Sequence, residues 1–173
     1  MACDLTKSRA ATCFERMGGN SKLYLNNRLE DPFTATGGEA TAMNVALTAA
    51  YSYELEGDNN TLEQVVVGDE NTGTRVCTQT LTVSLKGMAP ADNAEFNLLC
   101  ASMAQAVIKT RNGEYISLGE FDGMRWTVTA ATGGAHSDFT GYTVVGVART
   151  NRLGLVLDAT TITAFEAVEV AVV

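Results

Sequence analysis

The chain has 173 residues, 46% of them hydrophobic and 18% charged, with a formal net charge of −8 and four cysteines. A chain of this length buries about two-thirds of its unfolded surface in one core, so a single domain is expected and no disulfide scaffold is needed to fold it. The composition excludes a largely disordered chain, the acidic balance argues against tight nucleic-acid binding, and no run approaches the ~18 apolar residues of a membrane helix.

In chain order, residues 1–40 are broken by Gly18-Gly19-Asn20, Asp31-Pro32 and Gly37-Gly38. They read as an extended arm or loop region carrying at most one short strand, at 22–25. The opening residues lack the apolar stretch of a secretory leader, so the expectation is a protein made in a cytoplasm, with no membrane partner. Residues 41–152 read as a β core. A strand is expected over 42–56, allowing a break at Ala49-Ala50, then another over 62–67 and a turn from Gly68 to Gly73.

The clearest strand covers 75–85. Cys77, Leu81, Val83 and Leu85 share one face and Val76, Thr78, Thr80, Thr82 and Ser84 the other, which predicts one buried and one polar side. Together with 62–67 it forms a long hairpin. One helix is expected over 92–105, with Asp92 as N-cap and Glu95 three residues on completing a capping box. Phe96, Leu99, Cys100 and Met103 fall at i, i+3, i+4 and i+7 and give it a single core-facing stripe.

Beyond it, strands over 106–110 and 114–118 flank Arg111-Asn112-Gly113, where Asn-Gly is a strong hairpin signal because both turn positions tolerate positive φ. Further strands are expected at 125–130, 142–148 and 153–157. The apolar run over 164–172 completes a C-terminal strand extension, 153–173, that pairs in the sheet or with another subunit. The fold class expected is mostly β: a β-sandwich or small barrel of antiparallel strands with one packed helix, a long hairpin and an extended N-terminal arm.

Charge is unevenly spread. Residues 1–28 hold five basic side chains against two acidic ones, a net of +3, whereas residues 29–74 hold nine acids and no Lys or Arg, a net of −9. One reading is a solvated acidic loop. The other is a contact between copies, in which Lys7, Arg9 and Arg16 of one chain meet Glu54, Glu56, Asp58, Glu63, Asp69 and Glu70 of the next.

Chemistry is sparse. The single histidine, His136, lies near Asp138 in a Gly/Ser-rich stretch, but residue types alone make no triad. Cys3, Cys13, Cys77 and Cys100 lack the spacing of a zinc site. Cys77 and Cys100 read as small core hydrophobes, and Cys3 and Cys13 as free thiols or a disulfide of the arm. The acidic turns lack the spacing of a calcium loop, and the glycine-rich segments match no nucleotide-binding motif. No cofactor and no enzymatic activity are expected.

Several local patterns occur together: Met1-Ala2-Cys3, Leu5-Thr6 and Arg9 followed by Cys13 and Gly18-Gly19; Thr78-Gln79-Thr80-Leu81-Thr82-Val83 leading into a helix; Asn112-Gly113-Glu114-Tyr115; and Gly141-Tyr142-Thr143. In this order they resemble virion structural proteins of tailed bacteriophages, most like tail tube proteins. The resemblance implies a subunit that closes with copies of itself into six-fold rings stacked as a tube, with other virion proteins as partners and DNA passing transiently through the lumen. It implies that the acidic residues between Glu30 and Glu70 supply lumen or ring-to-ring contacts. Neighbouring readings are a neck ring protein or a capsid decoration protein. A secreted β-sandwich binding module is a third class.

Overall fold

The computed structural model describes residues 8–9 and 16–170. The N-terminal positions Cys3, Lys7 and Cys13 lie outside the described residues. The elements are β1 (Asn20–Asn26), β2 (Phe33–Thr36), β3 (Glu39–Met43), β4 (Ala50–Glu54), β5 (Thr61–Asp69), β6 (Thr74–Lys86), α1 (Pro90–Ala101), β7 (Gln105–Thr110), β8 (Tyr115–Leu118), β9 (Arg125–Ala131), β10 (Gly141–Thr150), β11 (Val156–Leu157), α2 (Ala159–Glu166) and β12 (Glu169–Val170). They form two open sheets, one of eight strands in the order β12-β4-β1-β7-β8-β11-β3-β2 and one of four in the order β5-β6-β10-β9. Neither closes on itself, so the small-barrel alternative is set aside and the sandwich stands. Pairing is antiparallel except where β11 meets β3 and β12 meets β4.

The eight-stranded sheet is covered on both faces. One core lies between the two sheets and beneath α1, and includes Leu23, Leu25, Leu81, Val83, Ile108, Trp126 and Val144. A second core on the far face contains Tyr24, Phe33, Leu47, Val107, Tyr115, Leu155 and Phe165. Successive residues of a strand point to opposite faces. Leu23 and Leu25 therefore enter one core while Tyr24 enters the other. The short strand expected at 22–25 forms and is longer, and because a strand buried on both faces carries no apolar/polar alternation its central place in the sheet did not show. Residues 20–26 form the central strand β1, and residues 33–43 add β2 and β3, so the expected arm ends before Asn20.

Two further expectations are corrected. α1 begins at Pro90, with Ala89 as N-cap and no side-chain cap, so Asp92 sits in the first turn rather than capping the helix. Proline suits this first position because its missing N–H would have no intrahelical partner. Only Phe96 and Leu99 of α1 are buried. Cys100, expected in the core, is exposed, and Met103 lies past the last helical residue, Ala101, where it is half-buried. The apolar stripe narrows because α1 lies against β9 and the sandwich edge rather than across a broad sheet face. Cys77, Leu81 and Val83 are fully buried, while Leu85 is partly buried against the same core.

The C-terminal run contains a second helix in place of a long strand. Asp158 caps α2 by accepting from the Thr161 amide at 2.6 Å, and those hydrogen bonds hold its carboxyl below the usual range. Phe165 then drops into the second core, edge-on to Tyr24 at a ring separation of 5.2 Å. Among the described residues, only Val156–Leu157 and Glu169–Val170 of the expected C-terminal strands form. No helix among the described residues is long and apolar enough to cross a membrane.

Candidate functional site: the uncovered face and open edges of the four-stranded sheet

β6 is the longest strand, 13 residues, and it pairs with β5 on one side and β10 on the other without a register shift. Its alternation follows the sequence: Cys77, Gln79, Leu81 and Val83 are buried, and Thr78, Thr80 and Thr82 lie on the opposite face. On that second face the pairing sets Glu63, Val65 and Val67 of β5, Thr143, Val145 and Val147 of β10, and Arg125, Thr127 and Thr129 of β9 beside the β6 threonines. No other layer covers this face among the described residues. It is a carpet of Thr and Val with Glu63 and Asp69 toward β5 and Arg125 and Arg149 toward β9, and its one lysine, Lys86 at the end of β6, is paired with Glu56.

Packing under this carpet is tight. A Cβ built on Gly146 would lie 2.6 Å from the Trp126 ring. The indole N–H of Trp126 donates to the Ala104 carbonyl at 2.9 Å. A buried amide network ties the sheet to its partner: Gln79 Oε1 accepts from the Gly119 amide at 3.0 Å, and Gln64 Oε1 accepts from Gly154 at 2.7 Å. Nearby, Glu120 is 4% exposed and Arg152 donates to its Oε2 at 2.9 and 3.0 Å. Burial nonetheless raises the Glu120 carboxyl above its usual range, with the arginine pulling the other way.

β5 and β9 are the two edges. Natural sheets protect such edges with Pro, Lys, bulges or covering elements, because unpaired strand backbone templates association. β5 reads Thr-Leu-Glu-Gln-Val-Val-Val-Gly-Asp and pairs through all nine residues without a bulge. Among the described residues it carries no proline, lysine or bulge, and no element is paired to its outer edge. Past Cys77, which faces Thr150, the β5–β6 ribbon extends beyond β10, and it exposes Val66, Val67 and Val76 at 43%, 61% and 42%.

The acidic stretch divides in space. Glu63, Asp69 and Glu70 lie on the hairpin, where the Asn71 amide holds the Asp69 carboxyl below the usual carboxylate range. Glu54 and Glu56 line a separate cleft of about 540 Å³ beside the start of α1, with Lys86, Asp92 and Phe96. Lys86 pairs with Glu56 at 3.1 Å and Arg111 approaches Asp58 at 3.9 Å. In this neighbourhood burial raises the Tyr53 hydroxyl pKa, with Glu95 and Asp92 adding to it. The basic N-terminal side chains that are described are largely used at home. Arg16 bonds Glu114 at 3.0 Å, Lys22 bonds Glu169 at 2.7 Å, and Arg28 lies 3.8 Å from Asp122. Arg9 is exposed.

His136 sits in an exposed loop, and the Asp138 carboxylate beside it accepts from the amides of Gly134 and Ala135 at 2.8 and 2.7 Å. Those bonds commit Asp138 to the loop rather than to the imidazole. No group of three or more metal-ligating side chains occurs among the described residues. The sequence reading missed the arginines of the β9 edge, where Arg28, Arg125 and Arg149 share a cleft with Asp122. No local signal marks them, since they come from three separate segments. The exposed valines did leave a signal: Val65-Val66-Val67 breaks the alternation a half-buried strand would keep. No family model, curated protein or solved structure matches the chain.

Proposed function

We propose that the protein is a structural subunit that associates with copies of itself through the two edges of its four-stranded sheet, closing rings that stack into the tail tube of a bacteriophage virion. One observation carries the self-assembly. The strands alternate in direction from β5 through β6 and β10 to β9, so β9 of a second copy placed beside β5 continues the antiparallel order across the seam. A head-to-tail contact of this kind generates a ring when its rotation closes. With the eight-stranded sheet packed on one face, the bulk of each subunit lies outside such a ring and the Thr/Val face turns inward.

The word tube rests on the resemblance given above, and the inward face is consistent with it. A duplex bearing one charge per ~1.7 Å passes most freely over a wall that is mainly uncharged Thr and Val, with its cations confined to the β9 side and the end of β6. The proposal makes copies of this chain and other virion proteins its partners, with DNA as transient cargo. Sedimentation and negative-stain microscopy of the purified chain test it. Rings of uniform diameter are expected, and a species that stays monomeric at high concentration refutes the reading.

A further inference from the structure

The pairing registers place four residues in one row across the uncovered face. Glu63 on β5 is opposite Thr80 on β6, Thr80 is opposite Val147 on β10, and Val147 is opposite Arg125 on β9. The row thus begins with an acid at one edge and ends with a base at the other. Glu63 and Arg125 are both exposed, and neither forms an ion pair with the rest of the chain among the described residues. Arg125 shares its cleft with Arg28 and Arg149, against the single carboxylate of Asp122. Asp122 is the one that faces Arg28. Positive charge is therefore left over at that edge.

We propose that in the assembly Glu63 of one copy sits directly across the seam from Arg125 of the next, so that this pair sets the register between copies. The inference rests on the edge-to-edge reading and adds its register. Three physical conditions favour it. The two strands run antiparallel when copies are related by rotation. Both side chains fall on the same face, which a one-residue slip would abolish because it turns every side chain over. Opposite charges directly across an antiparallel pair attract, while like charges there repel.

The test is a charge-swap cycle on the full chain, reading the critical concentration for assembly by light scattering and ring order by microscopy. Glu63→Arg and Arg125→Glu, each alone, should raise the critical concentration by about tenfold. The double variant Glu63→Arg/Arg125→Glu should restore it, because each seam then carries the pair in reversed sense. Singles that assemble like the parent chain overturn the proposal, as does a double variant no better than the worse single. Recovery of Arg125→Glu by Asp69→Arg instead overturns the register. Glu63→Gln and Arg125→Gln, each with a thermal melt, separate loss of pairing from loss of fold. Failure of the parent chain itself to assemble sinks the ring reading; a parent that assembles while the cycle shows no coupling sinks only this inference.

Discussion

Replacing Phe165 by alanine tests whether the C-terminal segment is anchored as described. The ring is fully buried and meets Tyr24 at 5.2 Å and Phe33 at 6.0 Å between ring centres. Truncating a buried phenylalanine costs about 3–5 kcal/mol through lost transfer energy and the cavity left behind. Aromatic contacts of this geometry add up to about 1 kcal/mol more. Against a typical domain stability of about 5–15 kcal/mol that is a large fraction, and for a chain of this size it lowers Tm by about 10 °C. Thermal unfolding followed by circular dichroism reads the shift, with Phe165→Leu as a control that keeps most of the volume and loses far less. The substitution lies on the far side of the molecule from the β5 and β9 edges, so assembly below the melt should persist. A Tm within about 2 °C of the parent chain would refute the second core and the docking of α2.

Two other outcomes are expected. Val67 and Val76 are paired on the projecting ribbon and exposed in the single chain, so Val67→Lys/Val76→Lys should weaken association between copies in sedimentation while leaving the melt nearly unchanged; a large fall in Tm would place these valines in the fold instead. The Lys22–Glu169 pair gives a pH signature. The Lys22 hydrogen bond holds the Glu169 carboxyl below its ordinary 4.5, and the same bond holds the Lys22 ammonium above its ordinary 10.5. A depressed carboxyl contributes stability above its ordinary value that is lost as pH falls through the depressed one. A raised amine contributes stability below its ordinary value that is lost as pH rises through the raised one. Lys22→Met should therefore cost about 1 kcal/mol at neutral pH in urea unfolding and almost nothing near about pH 2, whereas a cost independent of pH would assign the loss to packing.

What the sequence made legible follows from burial on one side or two. β6 has one buried and one open face, so its alternation announced both its span and its core residues. The Asn112-Gly113 turn was equally plain, since Gly113 adopts φ +84° there. β1 showed in the sequence only as a short strand at 22–25 because both its faces are buried, and α2 was hidden because Thr160, Thr161, Ile162 and Thr163 are β-branched and favour strands. The cap at Asp158 and the burial of Phe165 override that preference. The row from Glu63 to Arg125 was beyond reach from sequence, since it depends on three strand registers at once. Only its acidic end lay within a charge run that could be counted.

The position of β1 also decides how the subunit bears a pull. It lies between β4 and β7 and is bonded to both along most of its length, and hydrogen bonds in such ladders stand perpendicular to the strands. Tension applied through the residues before Asn20 runs along the strand axis and strains both ladders in shear, so many bonds must fail together. A subunit attached through that end is a load-bearing link, because the force meets a whole central strand rather than single bonds in turn.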